Sequence, residues 1–165
     1  MTLQSSAETT CSASPPKPAP ASKAGLTLTP QQAASEVLRR DAAAASFLPF
    51  VAYTMPSFEA AQHHEQIAAA LERVERGECK RLMIFAPPRH TKSELGSRRF
   101  PAWYIGRHPE RQLITTTYGQ DLADDFGRDV REIVRSDEYA CIFPNITLAA
   151  DSKAKAKWRT NKGGI

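Results

Sequence analysis

Cysteine is sparse in this 165-residue sequence, with Cys11, Cys79 and Cys141 far apart and odd in number. No CxxC pair occurs, which argues against a zinc site and against a disulfide framework. A chain of this kind fits a reducing compartment. Long apolar runs are missing as well, and nothing approaches the ~20 residues of a membrane-spanning helix. The N-terminus, MTLQSSAETTCSASPP, has no basic stretch followed by an apolar one, so a secretory leader is not expected. Internal repeats are absent. Glycine is limited to eight residues, none of them between Gly77 and Gly96.

Hydrophobic residues make up 41% of the chain, enough to build a globular core. The net charge of +4 is unevenly spread. Residues 1–79 carry 6 basic and 8 acidic side chains, and residues 80–165 carry 16 and 10. The positive second half suits a polyanion such as ATP or DNA, although ordinary surface lysines give the same balance.

Three regions follow from the pattern. Residues 1–28, with Pro15, Pro16, Pro18 and Pro20 among Ala, Ser and Lys, read as a disordered tail. Residues 29–78 read as a helical segment. Thr29 can cap a first helix, Pro30 suits its first turn, and Gln32 stands at the capping-box position. That helix is expected to fade by Pro49. A second is expected over 59–76, with Ile67, Ala70, Leu71 and Val74 on one face and Gly77 ending it in the left-handed conformation.

Residues 79–165 read as the partial core of an α/β fold. The run Arg81-Leu82-Met83-Ile84-Phe85-Ala86 resembles a buried parallel strand ended by Pro87 and Pro88. A helix is expected from Lys92 to Phe100, bent or broken by Pro101. Residues 111–117 form a second strand candidate, and residues 119–135 a second helix with Leu122, Phe126, Val130, Ile133 and Val134 near one side. One or two short strands are expected after Ile142. Strand, helix, strand, helix predicts a parallel sheet with flanking helices.

Residues 85–94, FAPPRHTKSE, stand at the first strand–helix junction. A phosphate-binding loop needs a strand, a tight loop, then Lys and Ser/Thr opening a helix whose amides face the anion. The lysine reaches the β and γ phosphates and the hydroxyl ligates Mg²⁺. Lys92 and Ser93 occupy those positions. The strict pattern GxxxxGK[ST] is broken twice, by Ala86 and Thr91. On pattern alone an ordinary strand–loop–helix junction explains the segment somewhat better. Threonine is β-branched and stiff where glycine leaves room for phosphate, so reduced nucleotide affinity is expected.

The stretch RLMIFAPPRHTKSELGSRRFPAWYIGRHPERQLITTTYGQDLADDFGRDVREI, with the later IFPNITLAADS and KWRTNKGG, resembles the ATPase domain of phage terminase large subunits. The similarity covers roughly residues 45 to 165 in several ordered blocks. It implies a P-loop NTPase-like core that binds ATP and Mg²⁺. Pro87, Pro88, Arg89, His90, Thr91, Lys92, Ser93 and Glu94 would form the nucleotide-binding loop, with Ser93 on the metal. Arg89 would be the catalytic arginine that stabilises charge on the γ-phosphate. His63 and His64 lie where that family places its base-contacting segment, although a solvated helix surface explains them as well.

The same resemblance implies a motor that drives DNA into a capsid. Its partners would be double-stranded DNA, a portal protein and a small terminase subunit, in the cytoplasm of a bacterial host, with oligomers formed by the full-length motor only. Hydrolysis further needs an acidic residue after an apolar strand. Asp121, Asp124 and Asp125 read better as a solvated helix face, and Asp151 follows only a short apolar run. The acidic strand and the nuclease domain would lie beyond Ile165, so the expectation is a truncated motor segment that binds nucleotide without completing catalysis. The competing expectation is a non-catalytic basic DNA- or protein-binding fragment. It would use Arg98, Arg99, Arg107, Arg111 and the lysine-rich residues 153–159, with Trp158 more suited to packing than to stacking on a base.

Overall fold

The computed structural model describes residues 29–149 and 158–163. The tail assigned to residues 1–28, Asp151 and Lys153 to Lys157 lie outside the described residues. Helix α1 (Pro30–Ala45) opens on a full capping box. The Thr29 hydroxyl accepts from the Gln32 amide, and the Gln32 side chain accepts from the Thr29 amide. Helix α1 ends at Ala45, before Pro49 as expected. The chain breaks at Ser46 and re-forms as α2 (Phe47–Thr54), with Pro49 in its first turn, where no amide is needed. A carboxylate from elsewhere caps this restart: the Phe47 amide donates to Glu72 Oε1 at 2.8 Å. Glu72 belongs to α3 (Gln62–Glu75), which ends as expected at Gly77 with φ of +78°.

The largest difference from the sequence reading is the sheet. Among the described residues there is no strand, only one isolated antiparallel bridge between Leu148 and Thr160. A parallel-sheet, P-loop-type α/β fold is therefore not what this chain forms here; the described fold is helical. Residues 81–86 and 112–117 belong to no helix or strand and alternate strictly in burial, without forming a backbone ladder. Leu82 and Ile84 pack on the core, whereas Met83, Phe85 and Ile114 stand 80%, 89% and 86% exposed. An apolar run buried on both faces was the basis of the strand assignment. Only one face is covered, so half of that hydrophobic signal lies in solvent.

A second correction concerns Pro101. The helix that begins at Lys92 runs on past it. Residues Glu94–Arg99 form a π turn, in which the Phe100 amide reaches back five residues to Leu95 O. The widened turn admits a proline, whose ring and missing N–H disrupt a regular helix. Helix α4 (Phe100–Arg107) then continues with Pro101 buried in its first turn. Helix α5 (Gln120–Arg135) buries Phe126, Val130 and Val134, the face read from the sequence. The short α6 (Asp137–Ile142) is capped by the Ser136 side chain.

One core joins these pieces. Phe47, Phe50, Val51, Leu95, Trp103 and Tyr139 are its largest fully buried side chains. Two buried polar groups find backbone acceptors: Tyr139 Oη donates to Ala102 O at 3.0 Å, and Trp103 Nε1 to Ala43 O at 3.2 Å. Trp158 is a packing residue, with Nε1 donating to Gly127 O of α5 at 3.1 Å.

Gly106 is required by a close approach. A Cβ there would lie 2.3 Å from the Phe143 ring, which is itself packed against Phe50 and Tyr139. Gly106→Ala is therefore expected to cost about 1–3 kcal/mol through overpacking. Urea denaturation would measure this, and an unchanged midpoint would contradict it.

Candidate functional site

Residues 86–94 form a loop leading into a helix, as the sequence suggests, although the segment before it belongs to no strand. Pro87 and Pro88 are exposed and outside any helix. The Pro88 carbonyl is held at 3.0 Å by His90 Nδ1, which must be the donor because a carbonyl oxygen can only accept. Arg89 has φ of +65° and Thr91 φ of +52°; His90 between them and Lys92 after them do not. Alternation of this kind turns successive amides toward one side and makes an anion-binding concavity. Residues 88–89 form a turn, and no backbone acceptor among the described residues takes the amides of Arg89 or of Thr91 to Glu94. The first helical hydrogen bond is Leu95 N to Thr91 O at 2.9 Å, so the opening turn leaves its amides free.

The Lys92 side chain folds back over the loop, and its ammonium donates to Ala86 O at 3.3 Å. Arg89 is exposed and has no carboxylate partner among the described residues. The Ser93 hydroxyl is exposed beside the hollow. These groups line a hollow of about 510 Å³, with Thr91, Glu94 and Arg98 also on its wall. A separate hollow of about 320 Å³, between residues 113–120, α4, α5 and Trp158, has no cationic side chain on its wall. The loop is thus the one of the two suited to an anion.

Glu94 does not act as a free carboxylate. It accepts from Arg99 Nε at 2.7 Å and from an Arg98 guanidinium nitrogen at 3.4 Å, and Arg98 is also bound by Asp129. Arg99 further donates to Thr54 O at 3.0 Å, closing the end of α2. The two arginines at the mouth of the loop are structural ties between elements. Arg107 and Arg111 are engaged too, with Glu75 and with the Tyr104 hydroxyl.

His64, one of the two histidines noted in the sequence, is buried and lies against the loop. Its Nε2 is 2.7 Å from Thr91 Oγ1, and its Nδ1 accepts from the Ala61 amide at 3.0 Å. The His63 ring packs against it, tilted by 52° with centroids 3.8 Å apart, and meets His90 edge-on at 5.6 Å. Burial, and then the neighbouring His63 charge, hold the His64 pKa below its usual value; the Glu59 carbonyl works weakly the other way. Sequence reasoning missed this link. The available signal was a histidine at the third helical position behind Ala61, which has no side-chain acceptor to cap the helix.

The donors present fit a phosphate chain, since they comprise free amides, one ammonium and one guanidinium. They offer less to a metal. Ser93 supplies one hydroxyl, and no group of three or more His, Cys, Asp or Glu among the described residues is placed to hold an ion. No helix among the described residues is long and apolar enough to cross a membrane. No family model matches the chain, and no curated protein or solved structure matches it.

Proposed function

We propose that residues 86–94 hold the phosphates of a nucleotide, and that the chain contributes nucleotide binding to a terminase-type DNA-packaging motor. One observation carries the first part: unsatisfied amides, the Lys92 ammonium and the Arg89 guanidinium share one hollow at the start of a helix. The packaging context, with its ATP, DNA and portal partners, rests on the ordered sequence blocks from residue 45 onward.

In this reading Lys92 exchanges the Ala86 carbonyl for a phosphate oxygen. Arg89, which has no ion-pair partner among the described residues, adds the second cation. The amides of the opening helical turn contribute fixed partial positive charge. Ser93 is the residue that would hold Mg²⁺, which supplies charge neutralisation along the phosphates when bound. Glu94, on the wall of the hollow, and Asp129, joined to it through Arg98, are both paired with arginines, and this leaves neither free to polarise a water. The proposal is therefore binding without efficient turnover. The arginines of a salt-dependent basic DNA surface, Arg98, Arg99, Arg107 and Arg111, all have partners within the fold, which favours the nucleotide reading, while Lys153 to Lys157 lie outside the described residues.

Calorimetric titration with Mg²⁺ and a non-hydrolysable ATP analogue tests the reading. A charge-assisted bond to phosphate is worth about 1.5–3 kcal/mol, so Lys92→Ala is expected to weaken binding by roughly tenfold to a hundredfold. Lys92 is exposed, and its replacement is expected to leave the helical circular dichroism unchanged. Equal affinity in the two proteins would overturn the proposal.

A further inference from the structure

We infer that His64 is a positioning residue for the phosphate loop, acting through Thr91 to hold the loop in its anion-receiving shape. The inference rests on the nucleotide reading above and assigns a residue to it that touches no nucleotide.

Thr91 is the point of difficulty in the loop. It is β-branched, yet its φ is +52°, a strained region that such residues rarely enter. A strained backbone of this kind persists only where its surroundings impose it. The structure shows one side chain that does so. The Ala61 amide donates to His64 Nδ1, which makes Nδ1 an acceptor and places the proton of the neutral ring on Nε2. Nε2–H then donates to Thr91 Oγ1 at 2.7 Å. The first turn of α3 thereby fixes the tautomer, the tautomer fixes the threonine hydroxyl, and the hydroxyl fixes the residue directly before Lys92. The ring is buried and wedged between Phe58 at 4.9 Å and His63 at 3.8 Å, so it has little freedom to release the hydroxyl. A glycine at position 91 would adopt the same backbone without help. His64 is thus the counterpart of having threonine there.

Two replacements separate this role from helix capping. The side-chain amide of His64→Gln places a donor near the Nε2 position and keeps the Thr91 link. That of His64→Asn reaches only the Nδ1 position and keeps the bond with Ala61. With Mg²⁺ and the non-hydrolysable ATP analogue, His64→Asn is expected to bind about tenfold more weakly and His64→Gln within about twofold of the parent, one lost hydrogen bond being worth roughly that factor. In a Thr91→Gly background both replacements are expected to have no effect, because the loop no longer needs a hold. Wild-type affinity in His64→Asn, equal loss in both, or the same loss in the glycine background would overturn the inference.

If the parent protein and Lys92→Ala bind the analogue equally weakly, the nucleotide reading fails, and the His64 role is read without ligand. Amide hydrogen exchange over residues 89–93 is then expected to quicken in His64→Asn and stay unchanged in His64→Gln. Equal rates in all three proteins would overturn it.

Discussion

Replacing Glu75 with alanine is expected to destabilise the protein by about 3 kcal/mol or more, the range found when one partner of a buried ion pair is removed. The Glu75 side chain is only 5% exposed, at the end of α3. Its Oε1 accepts from Arg107 Nε at 2.8 Å and from His108 Nε2 at 2.9 Å. Arg107 also donates to the carbonyls of Ala44 and Ala45, closing the C-terminus of α1, and lies over the Trp103 ring at 5.1 Å. One carboxylate therefore ties the ends of three helices, α1, α3 and α4. Arg107 is about a third exposed and can recover some hydration once freed, which places the expected loss near the lower end of the range.

Glu75→Gln keeps an acceptor without the charge and is expected to lose less. Chemical denaturation measures both; a loss under ~1 kcal/mol in the alanine variant would contradict the account. The acid dependence has a defined sign. Burial alone would raise the Glu75 pKa, but the hydrogen bonds and charges of Arg107 and His108 outweigh it and hold the pKa below the usual 4.5. The stabilisation is then present in full above pH 4.5 and lost as pH falls through the folded-state value. The alanine variant is expected to lose this component of the acid dependence.

Trp103→Ala is expected to cost about 3–5 kcal/mol, a large share of the 5–15 kcal/mol that holds a typical domain. The ring is 1% exposed and meets Phe47 at 5.6 Å and Phe100 at 6.2 Å. Its removal opens a cavity where α1, α2 and α4 meet and leaves the Ala43 carbonyl without the Nε1 donor. Trp103→Phe fills most of the space and lacks the donor, so it is expected to lose markedly less. Because Arg107 contacts both Trp103 and Glu75, the two alanine replacements are not expected to add. A denaturation midpoint for Trp103→Ala near that of the parent would show that the core collapses around the gap.

Local features were readable in advance. The Thr29–Gln32 capping box, the left-handed Gly77 and the buried face of α5 each depend on residues within a few positions of one another. The loop was readable as a strand-like segment, two prolines and a Lys-Ser pair opening a helix. The sheet was not, because a strand is completed by a partner and not by its own pattern. Residues 81–86 and 112–117 keep the period-two alternation and find no partner among the described residues. The helix through Pro101 escaped notice for a related reason: a π turn has no simple residue signature, and the proline by itself signals a break.

Residues near one another in the chain were enough to place the start of α1, the end of α3, the buried face of α5 and the residues around the candidate anion hollow, since each of these follows from local spacing. Tertiary structure decided which charged groups are free to act. Arg98 is consumed by Asp129, 31 positions away, Arg107 by Glu75, and Thr91 is held by His64 from 27 positions upstream. Such pairings require distant segments to be brought together by burial, so composition and spacing could name the cations and not which of them remain unpaired beside the loop.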